Sequence, residues 1–279
     1  MKRLAIFPNQ VSTAGRDVYS DFARSTGWQL EENCWDADAA LIWSVLWNGR
    51  MVKNREVFQH YHQNNKPVII IETGVIKRNI TYKVSVNGTD AYGSYWRSDD
   101  EMSDHRFYGM FGHIKPIKGG DTILICGQNP FSYNWQKWHY NNTKTTVEDW
   151  VEKKVLQYRE IYDGPIEIRP HPRYSLRLPE LEHLIVKPQF TVKDDTDLTQ
   201  AFEKARMVVN YNSYPGIQAK MHGLAVDVHH SSLASVDTRP WNADTYEDWI
   251  EFIARTEFYH EEIRSGFAWD KIKYAVDLS

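Results

Sequence analysis

The segment Ile168-Arg169-Pro170-His171-Pro172-Arg173 holds two guanidinium groups and an imidazole in a short span. A residue before proline is biased toward extended backbone, and extended chain turns every second side chain to the same side. Arg169, His171 and Arg173 are therefore expected together just past a strand end. Two guanidinium forks beside an imidazole make a phosphate clamp, with His171 able to hydrogen-bond or protonate a departing phosphate. The plainer reading is a polar strand end with solvated arginines. A second segment, Asn212-Ser213-Tyr214-Pro215-Gly216-Ile217-Gln218, has Ser213 as a helix N-cap and Pro215 in the first turn. Backbone N–H groups at such an end attract anions; without a ligand it is simply a capped helix. A third, Gly127-Gln128-Asn129-Pro130-Phe131-Ser132, lacks the spacing of a dinucleotide fingerprint or a Walker loop, but follows a strand, so that Gln128 and Asn129 are expected to line a binding cleft. Downstream, Tyr133, Trp135, Trp138 and Tyr140 interleave with Lys137 and His139, as in surfaces that stack bases or sugars, or as in a packed core or lid. The fourth feature is Glu72 in Ile71-Glu72-Thr73-Gly74, a carboxylate at a strand end placed to act as general base or hydrogen-bond acceptor, or else to pair with Lys77 or Arg78.

These residues need a scaffold that ends its strands in loops on one edge. Residues 4–7, 39–45 and 68–71 read as strands and 16–26 and 52–63 as helices, in alternation. From residue 76 to 118 the periodicity is lost among Gly, Asn, Asp and aromatics, and the domain boundary is placed near Pro116 to Gly120. Strands are expected again at 122–126, 166–169, 183–186, 208–211 and 225–228. Helices are expected at 146–162, 197–205, 215–222 and 245–255. Strands that are apolar throughout, alternating with helices, predict parallel sheets covered on both faces. The division is into an N-terminal domain, 1–118, and a C-terminal domain, 119–279, that carries the C-terminal helices, with ligands in a cleft at the strand ends.

Composition excludes other classes. The chain has 279 residues, 42% hydrophobic and 25% charged, with a net charge of −4, so it is neither disordered nor broadly basic. Cys34 and Cys126 form no CxxC pair, and no apolar run has the length of a signal peptide or a membrane span, which points to the cytoplasm. The tripeptides at Asn79, Asn87 and Asn141 fit the glycosylation pattern only by chance in that setting. Metal signals are weak: Asp36-Ala37-Asp38 and Asp195-Thr196-Asp197 suit turns and caps, and His60/His62 and His229/His230 are poorly spaced for chelation. No obligatory metal or cofactor is expected.

Together these segments resemble the capsule-polysaccharide Kdo transferases and, more distantly, bacterial sialyltransferases of the GT-B fold. The run Lys66-Pro67-Val68-Ile69-Ile70-Ile71-Glu72-Thr73-Gly74 looks like the acidic-acidic-Gly motif of their N-terminal domain. His171-Pro172 looks like their His-Pro motif, and Ser213 with Gly216, Ala219 and Gly223 like the loop and helix that hold the nucleotide phosphates. The resemblance implies an α/β, GT-B-like pair of Rossmann-like domains with a cleft between them. It also implies a metal-independent glycosyltransferase with a nucleotide-sugar donor. Arg169, His171, Arg173, Ser213, Gly216 and Gln218 would bind the donor, with the turn of Gln128 and Asn129 lining the same site, and Glu72 would act on the acceptor hydroxyl. Two positions depart from the pattern: Thr73 replaces the second acid, and Gln218 stands where many GT-B enzymes hold the ribose with Glu. The acceptor is a glycan or a hydroxymethylated base in DNA. A chain this short for the fold points to a trimmed, phage-encoded form, acting in the host cytoplasm. The alternative is a nucleotide- or nucleic-acid-binding module that keeps the body of the fold without the activity.

Overall fold

In a computed structural model, residues 1–186, 196–235 and 245–278 are described. The chain forms two compact units, Met1–Phe111 with Arg239–Ser279, and Gly112–Thr238.

The first unit opens with β1 (Arg3–Ile6), α1 (Arg16–Ser25), β2 (Gln29–Glu32), β3 (Ala39–Trp43), α2 (Asn54–Gln63), β4 (Val68–Thr73), β5 (Thr81–Val86) and α3 (Asp104–Phe111). The second unit contributes β6 (Thr122–Cys126), the short helices α4 (Tyr133–Trp135) and α5 (Asn141–Thr143), α6 (Val147–Arg159) and β7 (Ile166–Arg169). It continues with α7 (Thr196–Lys204), β8 (Ala205–Asn210), α8 (Tyr214–Met221) and β9 (Ala225–Val228). The tail adds α9 (Tyr246–Thr256), β10 (Glu257–Tyr259), α10 (His260–Arg264) and α11 (Phe267–Asp277).

Among the described residues the first sheet has the order β10-β5-β4-β3-β1-β2. β1 pairs in parallel with β2 and β3, and β3 with β4, while β5 runs antiparallel to β4 and to β10. β3 is buried along its whole length and β4 through Ile71, as strands covered on both faces must be. The second sheet, β7-β6-β8-β9, is parallel throughout, so all of its strands end on the same edge. α6 starts in a capping box, Thr146 and Asp149 each satisfying the other's backbone N–H, and packs Val147, Trp150, Val151, Val155 and Tyr158 on the sheet.

Four differences from the sequence reading are physical. The tail, expected in the second domain, belongs to the first: β10 pairs with β5, and Ala268, Trp269, Ile272, Ala275 and Val276 of α11 join Leu4, Leu41, Ile69 and Val84 in one core. The division falls after Phe111 rather than at 118/119. Residues 183–186 are not a strand; Pro179–Leu184 forms a 3-10 turn and only Ile185 bridges to Ile168. β5, assigned to loops, is buried along its length although its sequence TYKVSV alternates polar and apolar: β4 and β10 pair its edges, α9 and α11 lie against it, and Thr81, Lys83 and Ser85 all lie inside. No helix among the described residues is long and apolar enough to cross a membrane.

Candidate functional site

The carboxyl edge of the second sheet gathers three of the four segments singled out by spacing. Arg169 ends β7 in register with Cys126 at the end of β6, and the Gly127 N–H donates to the Arg169 carbonyl at 2.9 Å. The arginine is buried rather than solvated, and its charge acts on the Cys126 thiol, which burial nevertheless pushes up to about 12. Extended chain continues only to His171. There the Tyr174 N–H donates back to the His171 carbonyl at 2.9 Å, so Pro172 and Arg173 occupy a turn and the expected three-residue alternation stops. Arg173 is exposed, and its backbone N–H donates to His171 Nδ1 at 3.1 Å. In the neutral ring that fixes the proton on Nε2.

Ser213 stands at the N-cap of α8, but its hydroxyl caps no helix amide. It accepts instead from Asn210 Nδ2 at 2.9 Å, while Asn210 Oδ1 accepts the Ser213 N–H at 2.7 Å and Asn210 Nδ2 also reaches the Cys126 carbonyl at 3.1 Å. Asn210, which spacing did not single out, thus joins β6, β8 and the start of α8. Gly216 lets α8 approach β9: a Cβ there would lie 2.9 Å from Val228 Cγ1. Gln218 is buried and donates from Nε2 to the Tyr214 hydroxyl at 2.7 Å, within its own helix.

The loop after β6 is tied to the loops after β8 and β9. Gln128 accepts the Asn212 N–H at 3.4 Å and donates to Ser132 Oγ at 3.1 Å; Asn212 Nδ2 donates to Ser231 Oγ at 2.6 Å. Ser231 is bound to His229 Nδ1, and the His229 ring stacks on Tyr211 with centroids 4.5 Å apart. Burial, together with the neighbouring His230 and His139, pushes His229 down to about 4, so it is neutral at pH 7. Trp135, packed against Tyr211 and Trp150, is core. Trp138 contacts His229 and His230 and lies under Lys137, while Tyr140 remains exposed.

In the first unit, Glu72 Oε1 accepts from Ser44 Oγ and from the Val45 N–H, both at 3.0 Å. Ser44 holds the left-handed conformation, φ 66°, uncommon outside glycine and here fixed by this carboxylate and by its own N–H to the Ile71 carbonyl at 2.8 Å. Glu72 therefore sets the loop that leaves β3 while remaining half-buried at the end of β4. Gly74 has a separate cause. Its backbone passes the carboxylate of Glu257, which accepts from the Val75 and Ile76 N–H groups and the Thr81 hydroxyl. Burial raises the Glu257 carboxyl, and Lys83 opposes that shift from the same cross-strand row, which runs Glu72, Lys83, Glu257. None of Ser44, Lys83 or Glu257 carries a motif; each becomes legible only once strand register is known.

Among the described residues no group of His, Cys, Asp and Glu could hold a metal ion. Asp36 pairs with Lys66 and Asp38 accepts the Arg3 N–H, while Asp195 lies outside the described residues.

No family model matches the chain, and no curated protein matches it. Solved structures do. A Thermosulfurimonas dismutans KpsC beta Kdo 2,4 transferase superposes with a TM-score of 0.54 at 11% identity, over 91% of this chain and 92% of that one. A KpsC beta Kdo 2,7 transferase from the same organism gives 0.50 at 13% identity, over 98% and 100%. The likeness is one of fold, a mixed α/β chain with parallel sheets like that of these GT-B-like transferases. The short-form expectation finds no support in these two chains, whose lengths this one spans almost end to end.

Proposed function

We propose that this protein is a glycosyltransferase that moves a sugar from a nucleotide-sugar donor to a hydroxyl acceptor. The observation that carries the reading is the convergence of Arg169, His171, Gln128, Asn129 and the α8 N-terminus on one edge of a parallel sheet, in a chain whose fold resembles Kdo transferases along nearly its whole length. In this reading His171 Nε2–H and the dipole of α8 stabilise the negative charge that grows on the departing phosphate, the charge that positioned donors lower most. Arg169, from its buried position, adds a fixed cation to that edge; exposed Arg173 is free to swing onto phosphate. Ser213 and Gly216 shape the turn into α8, and Gln218, held by the Tyr214 hydroxyl within the same helix, is the uncharged group assigned to the ribose. Glu72, held by Ser44 and Val45, orients or deprotonates the acceptor hydroxyl, alone because Thr73 offers no second carboxylate. The acceptor is a glycan, or a hydroxymethylated pyrimidine base in DNA, in a cytoplasmic setting.

The test is release of nucleotide from CMP-, UDP- and GDP-sugars in the presence of glycan or hydroxymethylated-DNA acceptors. Wild type is expected to turn over one donor. His171→Ala is expected to lose turnover and nucleotide affinity, and Glu72→Gln to lose turnover while keeping affinity, since Gln preserves an acceptor for Ser44 and Val45. Nucleotide binding without turnover in wild type, unchanged in Glu72→Gln, would make the chain a binding module instead.

A further inference from the structure

Two buried amide atoms in the segment after β6 have no hydrogen-bond partner among the described residues: Asn129 Nδ2 and Asn134 Oδ1. Both side chains are at least nine-tenths buried. Native interiors rarely leave such atoms unmet, and those that persist call for a cause. Neither can be met by turning the amide over. Asn129 Oδ1 already accepts the Phe131 N–H at 2.9 Å, in the turn that shapes the loop, so its NH2 group is what remains. The orientation of Asn134 is fixed at longer range. The Ser231 N–H donates to His229 Nδ1 at 3.2 Å, which makes that nitrogen an acceptor. Ser231 Oγ, 2.8 Å from it, therefore donates to it and accepts from Asn212 Nδ2. Asn212 Oδ1 is left facing Asn134, whose Nδ2 donates to it at 3.5 Å. The chain of donors runs one way, from Asn134 through Asn212 and Ser231 to His229, and its end point is a neutral imidazole. What remains unmet is one donor in the loop after β6 and one acceptor in the short helix α4 that follows it, held in opposite polarity.

We propose that Asn129 Nδ2 and Asn134 Oδ1 read a neutral group of the nucleotide-sugar, one that offers an acceptor to the first and a donor to the second. The inference rests on the reading of the second unit as the nucleotide-sugar unit. The chemistry fits the hydrogen-bonding edge of a base or the hydroxyls of ribose or the transferred sugar, and it does not fit phosphate, which has no donor for Asn134. The phosphates thus fall to Arg169, His171 and α8, and the segment 127–135 closes on the uncharged part of the same ligand, bringing its sealed amides to it.

The experiment is calorimetric titration of the full chain with CMP, UDP, GDP, their sugars, ribose 5-phosphate and inorganic pyrophosphate. Wild type is compared with Asn129→Ser, Asn134→Ser and His171→Ala. Serine at 129 keeps an acceptor for the Phe131 N–H and removes only the unmet donor. Each serine variant is expected to weaken nucleotide binding about 3- to 10-fold, as loss of one hydrogen bond does, with the ligand-free unfolding midpoint unchanged or raised in Asn129→Ser, which keeps its internal bond. Pyrophosphate binding is expected to be unchanged in both. A penalty seen with the nucleotides but not with ribose 5-phosphate assigns the base edge, one that persists with ribose 5-phosphate assigns the ribose, and one confined to the sugar-bearing ligands assigns the transferred sugar. Binding that His171→Ala weakens and both serine variants leave unchanged overturns this inference alone. So does a loss of affinity that comes only with a lowered midpoint in both variants, which assigns the amides to the fold. Failure of wild type to bind any nucleotide overturns the functional reading and this inference with it.

Discussion

Glu72 and Gly74 stand two residues apart in one motif, yet different pressures hold them in place. Glu72 is fixed by what it binds, the hydroxyl of Ser44 and the N–H of Val45. Gly74 is fixed by what it must not touch. A Cβ at that position would fall 2.5 Å from the Thr81 carbonyl and closer still to the Glu257 carboxylate. Neither neighbour can yield, because the carboxylate holds two N–H donors of the loop and the Thr81 hydroxyl of β5, and Thr81 is in register with Tyr259 of β10. Gly74→Ala is therefore expected to destabilise the protein by about 1–3 kcal/mol, in the range of overpacked interiors, read as a lower denaturant midpoint. An unchanged midpoint would show that the loop can move away from Glu257. The glycine was legible in the sequence as part of a motif; its cause was not, because Glu257 lies far along the chain and reaches Gly74 only through the pairing of β10 with β5.

At the scale of elements, strands buried on both faces and helices with one apolar face were read correctly from pattern, as in β3, β4, β6 and α6. What escaped was local structure whose stability comes from partners. β2 is a polar edge strand, QLEE, recruited by parallel pairing with β1, and β5 hides polar residues between two paired neighbours. The run from Arg169 to Arg173 looked extended but folds into a turn after His171, and Ser213 stands at a cap position while its hydroxyl serves Asn210. The loop after β9 shows the same dependence in its protonation. His229 is stacked on Tyr211 beside His230, with His139 and Trp138 also near, and the fold favours its neutral ring. Its pKa falls from 6.5 to about 4, so the stability it contributes is complete above about pH 6.5 and is lost as pH falls toward 4. His139, also lowered by burial and by Lys153, adds a change of the same sign. The unfolding midpoint is expected to drop between pH 7 and pH 4, and to drop less in His229→Gln. Parallel pH profiles for the two proteins would remove His229 as a source of the dependence.

For the whole molecule, the decisive feature is that the chain returns to its first unit to complete it. Phe258, Ile263, Trp269, Ile272 and Val276, all from β10, α10 and α11, are buried members of the core that also holds Leu4, Leu41 and Ile69. Polar ties follow the same course: Arg106 pairs with Glu262 at 2.6 Å, and His260 with Asp21 at 2.8 Å. A buried apolar side chain contributes about 1.5–3 kcal/mol, so five of them rival the net stability of an ordinary domain, about 5–15 kcal/mol. Glu257 adds two hydrogen bonds to the loop that follows Glu72 and one to Thr81 of β5. A chain ending at Thr256 is therefore expected to lose the first unit, seen as loss of its near-ultraviolet circular dichroism and as rapid proteolysis within residues 1–111. On the proposed reading, acceptor-dependent turnover vanishes with it, because Glu72 sits at the end of a strand that this core supports. Retention of a cooperative transition and of protease resistance in that region would show that the first sheet closes without its last strand.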